Sequence, residues 1–195
     1  MTKFAAHVLT GVMFVGALGA CRATAESTVA RESSGCAEQT GAVDVALVAF
    51  LSKARAVHAQ ADLAEADADA ARAVAVLDEL VRAPAPGGEQ PASEVREVLA
   101  DTLARIAELE AQRGRFDAGR AAVRRGLALA VERTHYRGRL HEVLGALEKR
   151  AFDELRARGD EEAALAAKAR SAAALREAVA IQEDVIERAL GGKRP

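Results

Sequence analysis

Side chains with the chemistry to catalyse, ligate or bind are few in this 195-residue chain. His58 and Asp62 stand four residues apart, a spacing that lets them meet on one helix face. His135 and His141 flank Tyr136, the single tyrosine, near the start of a helical stretch. Either pair could give two metal ligands, whereas zinc takes three or four. Surface or joint histidines are therefore the expected reading, with no metal and no other cofactor. Tyr136 is expected to wedge helices at a joint rather than to bind a ligand. There is no G-x-S-x-G, no phosphate-binding loop, no H-E-x-x-H and no C-x-x-C, so an enzymatic reaction has no residues to carry it. Glu65, Asp67 and Asp69 read as a solvated turn, and the pair Arg124-Arg125 as a solvated helix face. The densest basic group is Arg113, Arg115, Arg120 and Arg124. Its chemistry would be recognition of carboxylates, as at the acidic end of a peptide.

Most of the chain reads as helix. Half the residues are hydrophobic, with alanine a large share, and aromatics are only 3%. Alanine is the best helix former, while strands favour β-branched and aromatic residues. From Val43, Leu47, Phe50, Leu51, Ala54, Val57 and Ala61 recur at helical steps. A second run carries Ala70, Val74, Leu77, Leu80 and Val81, after a soft break at 66–69. A linker follows at 83–91, where three of the four prolines stand. Ser93 is the expected N-cap of a third helix with Val95, Leu99, Leu103, Ile106 and Leu109, stopping at Gly114. A fourth helix is expected from about Phe116 to Val131, and a fifth carries Leu140 to Leu155 and stops near Gly159. The last runs from about Asp160 to Leu190, with Leu165, Ala172, Leu175, Val179 and Ile186 on one stripe. The expected class is all-α: about six helices as three antiparallel hairpins, because short joints make sequential helices neighbours.

The first 21 residues differ in kind. Lys3 precedes an apolar run, Phe4 to Ala20, which ends in Leu18-Gly19-Ala20-Cys21. The run is short for a spanning helix, which needs about 20 apolar residues. It resembles a bacterial lipoprotein signal peptide with its lipobox, and a cleaved signal fits it better than a permanent anchor. The resemblance implies a signal peptide at 1–20 and lipid attachment at Cys21. Ala23-Thr24-Ala25 is a competing site, where ordinary signal peptidase would cut before Glu26. Arg22 replaces the aspartate that resembles an inner-membrane retention signal, which leans towards the outer membrane. With Cys21 lipidated, Cys36 is left alone and is expected to be an inert thiol. Residues 21–41 show no apolar period and read as a flexible tether, long enough to lift a domain roughly 25 Å from the membrane. The helical domain is expected at 42–192.

A second resemblance lies in the third and fourth helices. Ile106-Ala107, Leu109, Gly114-Arg115-Phe116-Asp117, Gly119 and Gly126-Leu127 look like one tetratricopeptide repeat. That family's unit is a helical hairpin of about 34 residues. Gly119 and Gly126 stand where the family prefers alanine. Two glycines seven apart fall on one face and are best explained by a helix approaching closely there. Leu144-Gly145 opens a second match with a longer first helix, Gly159-Asp160 with Ala163 resembles its turn, and the first hairpin matches least, with Ala66-Asp67 where glycine would stand. The implied fold is a short tetratricopeptide-like solenoid, the alternative being an alanine-rich bundle.

Two functions follow as expectations. One is a membrane-anchored envelope lipoprotein, periplasm-facing, that acts as a protein–protein interaction adaptor or assembly factor. Stacked hairpins form grooves that bind partner proteins or peptides. The partner would be an unidentified envelope protein or peptide, with Arg113, Arg115, Arg120 and Arg124 as the binding candidates. The other is a self-associating structural lipoprotein, a possible homodimer paired through the heptad-like stripe of the last helix. The formal net charge of −2 provides no basic footprint for nucleic acid.

Overall fold

The structure, a computed structural model, describes residues 43–191. The expected signal peptide, Cys21, the tether at 21–41 and residues 42 and 192 lie outside the described residues. Within them the chain forms six α-helices and no strand: α1 (Val45–Ala66), α2 (Ala70–Arg82), α3 (Ser93–Gln112), α4 (Phe116–Leu129), α5 (His135–Ala157) and α6 (Glu161–Ala189). The all-α class read from the sequence holds.

Three of the joints are built alike. Asp67, Arg113 and Arg158 close α1, α3 and α5. The next residue turns left-handed in each case: Ala68 at φ 58°, Gly114 at 70° and Gly159 at 79°. The residue after that sends its N–H back five positions, Asp69 to Ala64 O at 2.8 Å, Arg115 to Glu110 O at 2.8 Å and Asp160 to Leu155 O at 3.1 Å. The left-handed residue itself donates three positions back, to Glu65, Ala111 and Arg156. This is the Schellman arrangement, which satisfies carbonyls that a helix end leaves open. Asp69 and Asp160 serve a second purpose: their side chains accept from the N–H of Arg72 at 2.9 Å and of Ala163 at 3.1 Å and so start α2 and α6. Ser93 does not cap α3. It is the first helical residue, Ala92 takes the cap position without a side-chain bond, and Ser93 Oγ donates to Glu94 at 3.1 Å.

Each helix packs on the next in sequence, α1 also packs on α3, and α3 on α5. The core runs through these contacts, with Leu77, Leu80, Val95, Leu103, Leu109, Val123 and Leu140 almost fully buried. Glycine sets the closest approach. A Cβ on Gly119 would come within 2.5 Å of Leu147 Cδ1 and 3.1 Å of Ala107 O; one on Gly126 would come within 2.6 Å of Leu140 Cδ2. The expected close neighbour of these two glycines is α5. The α5–α6 contact is rich in small residues: Ala164, Ala167, Ala174 and Ala178 are buried there, Ser171 Oγ donates to Gly145 O at 2.8 Å, and Leu175 and Ile181 pack over Gly145 and Gly138 of α5.

Candidate functional site

The four arginines singled out by their spacing do not share one surface. Arg113 Nη1 donates to Glu110 Oε2 at 3.1 Å, and Arg115 Nε lies 3.3 Å from the same oxygen. Glu110 is buried, so these two arginines neutralise a carboxylate of their own helix end. Arg120 forks onto Glu148 of α5, Nε to Oε1 at 2.7 Å and Nη2 to Oε2 at 3.0 Å, and donates to Asp117 at 2.8 Å. Arg170 of α6 reaches the same Glu148 carboxylate at 2.9 Å. Arg124 is exposed and makes no ion pair among the described residues.

Glu148 is the centre of this arrangement and is 1% exposed. A charge buried alone would be very costly. Burial pushes its carboxyl up, but the bonds from Arg120 and Arg170 outweigh burial and hold it below the ordinary carboxylate value. The cluster ties α4 to α6 across α5, although those two helices do not pack directly. It also forms one wall of a cleft of about 400 Å³ between α4, α5 and α6. Val123, Leu127, Leu144, Ala173 and Ala174 supply apolar lining, and Arg120, Arg124, His141, Arg170 and Glu177 supply polar groups. Glu177 is engaged by Arg133 at 2.9 Å. His141 has a buried Nε2 with no hydrogen-bond partner among the described residues. Burial, then the nearby Arg137, lowers its pKa below the ordinary 6.5. Such a cleft can take up an apolar side chain beside a carboxylate.

A second cavity of about 410 Å³ lies against the α3–α4 joint. Arg115, Phe116, Arg120, Glu154 and Arg158 line it, with most of its polar groups already paired within the chain.

Of the two histidine pairs, His58 and Asp62 stay together around Arg105, while His135 and His141 come apart. His58 and Asp62 both turn to α3. Thr102 Oγ1 donates to Val98 O at 2.7 Å, so its single proton is committed and it accepts from His58 Nε2 at 3.0 Å. Nδ1 of His58 then faces Arg105 Nη1 at 3.4 Å as an acceptor. Burial first and Arg105 second lower the pKa of His58, which agrees with this neutral tautomer. Asp62 accepts from Arg105 Nη2 at 2.5 Å, and Glu65 accepts from Arg105 Nε at 3.0 Å. Glu65 is therefore part of a tie between α1 and α3 rather than of a solvated turn. His135 is exposed and meets Tyr136 edge-on, ring centroids 5.7 Å apart, while His141 lines the cleft. No group of three or more His, Cys, Asp or Glu among the described residues is placed to hold a metal ion.

Sequence reasoning missed Glu148 and Arg170. The signal for Glu148 is present: it lies four after Leu144 and three before Ala151, on the apolar face of α5. Arg170 stands on an exposed face with no comparable mark.

No described helix is long and apolar enough to cross a membrane. Compared with protein-family models, curated proteins and solved structures, the chain matches none.

Proposed function

We propose that this chain is a lipid-anchored protein of the bacterial envelope that binds a partner protein in the cleft between α4, α5 and α6. In this reading Cys21 carries the lipid, residues 21–41 are the tether, and the helical domain is an adaptor or assembly factor, not an enzyme. The helices act as three consecutive antiparallel hairpins stacked into a short tetratricopeptide-like solenoid. The three matching Schellman joints support that architecture, as do the contacts of α1 with α3 and α3 with α5. The repeat is longer than the family's. Ala68, Gly114 and Gly159 stand 46 and then 45 residues apart, against about 34, because α1, α3 and α5 run to 22, 20 and 23 residues.

One observation carries the partner-binding reading. The cleft sets an apolar lining beside Arg124, which has no ion pair among the described residues, while the remaining cations of its wall are held in place by Glu148. Clefts of this kind fit an amphipathic segment that offers apolar anchors with a carboxylate beside them. Arg113, Arg115 and Arg120 support the scaffold, and Arg124 is the arginine offered to the partner.

The test is recovery of partners with the tagged full chain from detergent-solubilised envelopes. The wild type recovers one stoichiometric protein. Arg124→Glu, an exposed change outside the internal ion pairs, lowers that recovery at least about tenfold. Cys21→Ser moves the chain out of the membrane fraction. A partner retained at full yield by Arg124→Glu contradicts the assignment of the cleft.

A further inference from the structure

The last helix carries an apolar stripe that is covered in the described residues only where Leu175 packs over Gly145 of α5. α2 has α3 packed on it and α4 has α5, but α6 packs only on α5. Leu165, Leu175, Val179 and Ile186 of α6 remain 61%, 42%, 54% and 58% exposed. At about 100° per residue these four fall within one narrow arc, together with Ala172. The buried residues Ala167, Ala174 and Ala178 lie beside that arc, and the cleft residues Arg170 and Glu177 lie beyond them. The exposed stripe and the partner cleft are thus on different flanks of α6. From Leu165 to Ile186 the stripe is about 32 Å long.

Two charged residues interrupt it, Lys168 and Glu183. Both are exposed, and neither has an ion pair among the described residues. Their positions make the stripe complementary to itself when reversed. With a two-fold axis near Leu175 and Arg176, Leu165 of one copy meets Ile186 of the other. Ala172 meets Val179, and Lys168 meets Glu183. An in-register parallel pair would instead set Lys168 against Lys168 and Glu183 against Glu183, which is repulsive twice over. Two-fold pairing presents the same patch from both copies, as a symmetric dimer requires.

We infer that the occupant of this face is a second copy of the chain, packed antiparallel through α6, with Lys168 and Glu183 setting the direction. The inference does not rest on the cleft: a dimer built on α6 leaves Arg124 free, so either reading can fail while the other stands.

The experiment is light scattering with size exclusion on the full chain in a mild detergent, over a wide range of protein concentration. The wild type gives the mass of two copies. Lys168→Glu places like charges opposite one another and weakens the dimer at least about tenfold. Adding Glu183→Lys to that variant restores it. Both positions are exposed, and far-UV circular dichroism of each variant confirms an intact helical fold. A wild type that stays monomeric throughout the range overturns the inference. So does a dimer indifferent to Lys168→Glu, or one that the double variant fails to restore.

Discussion

Glu148 stands at a position on α5 where an apolar side chain would satisfy packing alone, between Leu144 and Ala151 on the inward face. Its carboxylate instead collects Arg120 and Arg170 and ties three helices. Charge balance also explains why the arginine group read from spacing dissolves. Arg113 and Arg115 answer Glu110, Arg120 answers Glu148 and Asp117, and only Arg124 is left over. Nothing in a linear arginine count reveals that Glu110 and Glu148 lie inside. The histidines lead to a pH prediction. His58 and His141 are held below 6.5 in the fold, burial first among the causes. Around that pH the unfolded chain binds more protons than the folded one, so stability falls as pH drops from about 7 to about 5. The contribution of Glu148 goes lower, below the ordinary 4.5, as pH falls through its depressed folded value. Burial raises Glu108 and gives it the opposite sense above 4.5. Comparing wild type with His141→Leu cancels Glu108, which both share. Urea melts across this range are expected to show a shallower loss between about pH 7 and pH 5 in His141→Leu, with the fall below 4.5 kept. An identical profile would contradict the assigned role of His141.

At the scale of elements, the joints carry the architecture. Three Schellman turns recur, yet only two of them hold glycine. Ala68 takes the same left-handed backbone as Gly114 and Gly159, at about 1 kcal/mol of strain. Ala68→Gly is expected to raise Tm by about 2–4 °C in a domain of this size, while Gly159→Ala lowers it by a similar amount. Thermal melts of the two variants check this, and a lower Tm for Ala68→Gly would be the contrary result. The first joint, Ala66 to Asp69, holds no glycine, which is why the first hairpin matches the repeat pattern least in sequence. Periodicity placed all six helices, because apolar steps of three and four residues survive in an alanine-rich chain. The longer spacing is legible in sequence only between Gly114 and Gly159, because the motif that marks a joint is a backbone conformation, visible only where glycine occupies it. Ser93 misled for a related reason: a serine before an apolar run is a good cap, but here the turn begins one residue earlier.

At the scale of the molecule, two surfaces stand out, the cleft between α4, α5 and α6 and the exposed stripe of α6. The cleft could not be read from sequence, since it needs α4 and α6 to face each other across α5, and their tie is an ion cluster rather than apolar contact. The stripe was visible as a heptad-like pattern, but whether a neighbour of the same chain would cover it depended on the stacking. The most direct test of the proposed adaptor function is photo-crosslinking of the full chain in intact cells. One probe is placed at Leu127, inside the cleft. A second is placed at exposed Arg55 on α1, away from it. One adduct with a single other protein is expected from Leu127, lost when Arg124→Glu is combined with the probe, and none from Arg55. The same adduct from both positions, or only the chain crosslinked to itself from Leu127, would contradict it.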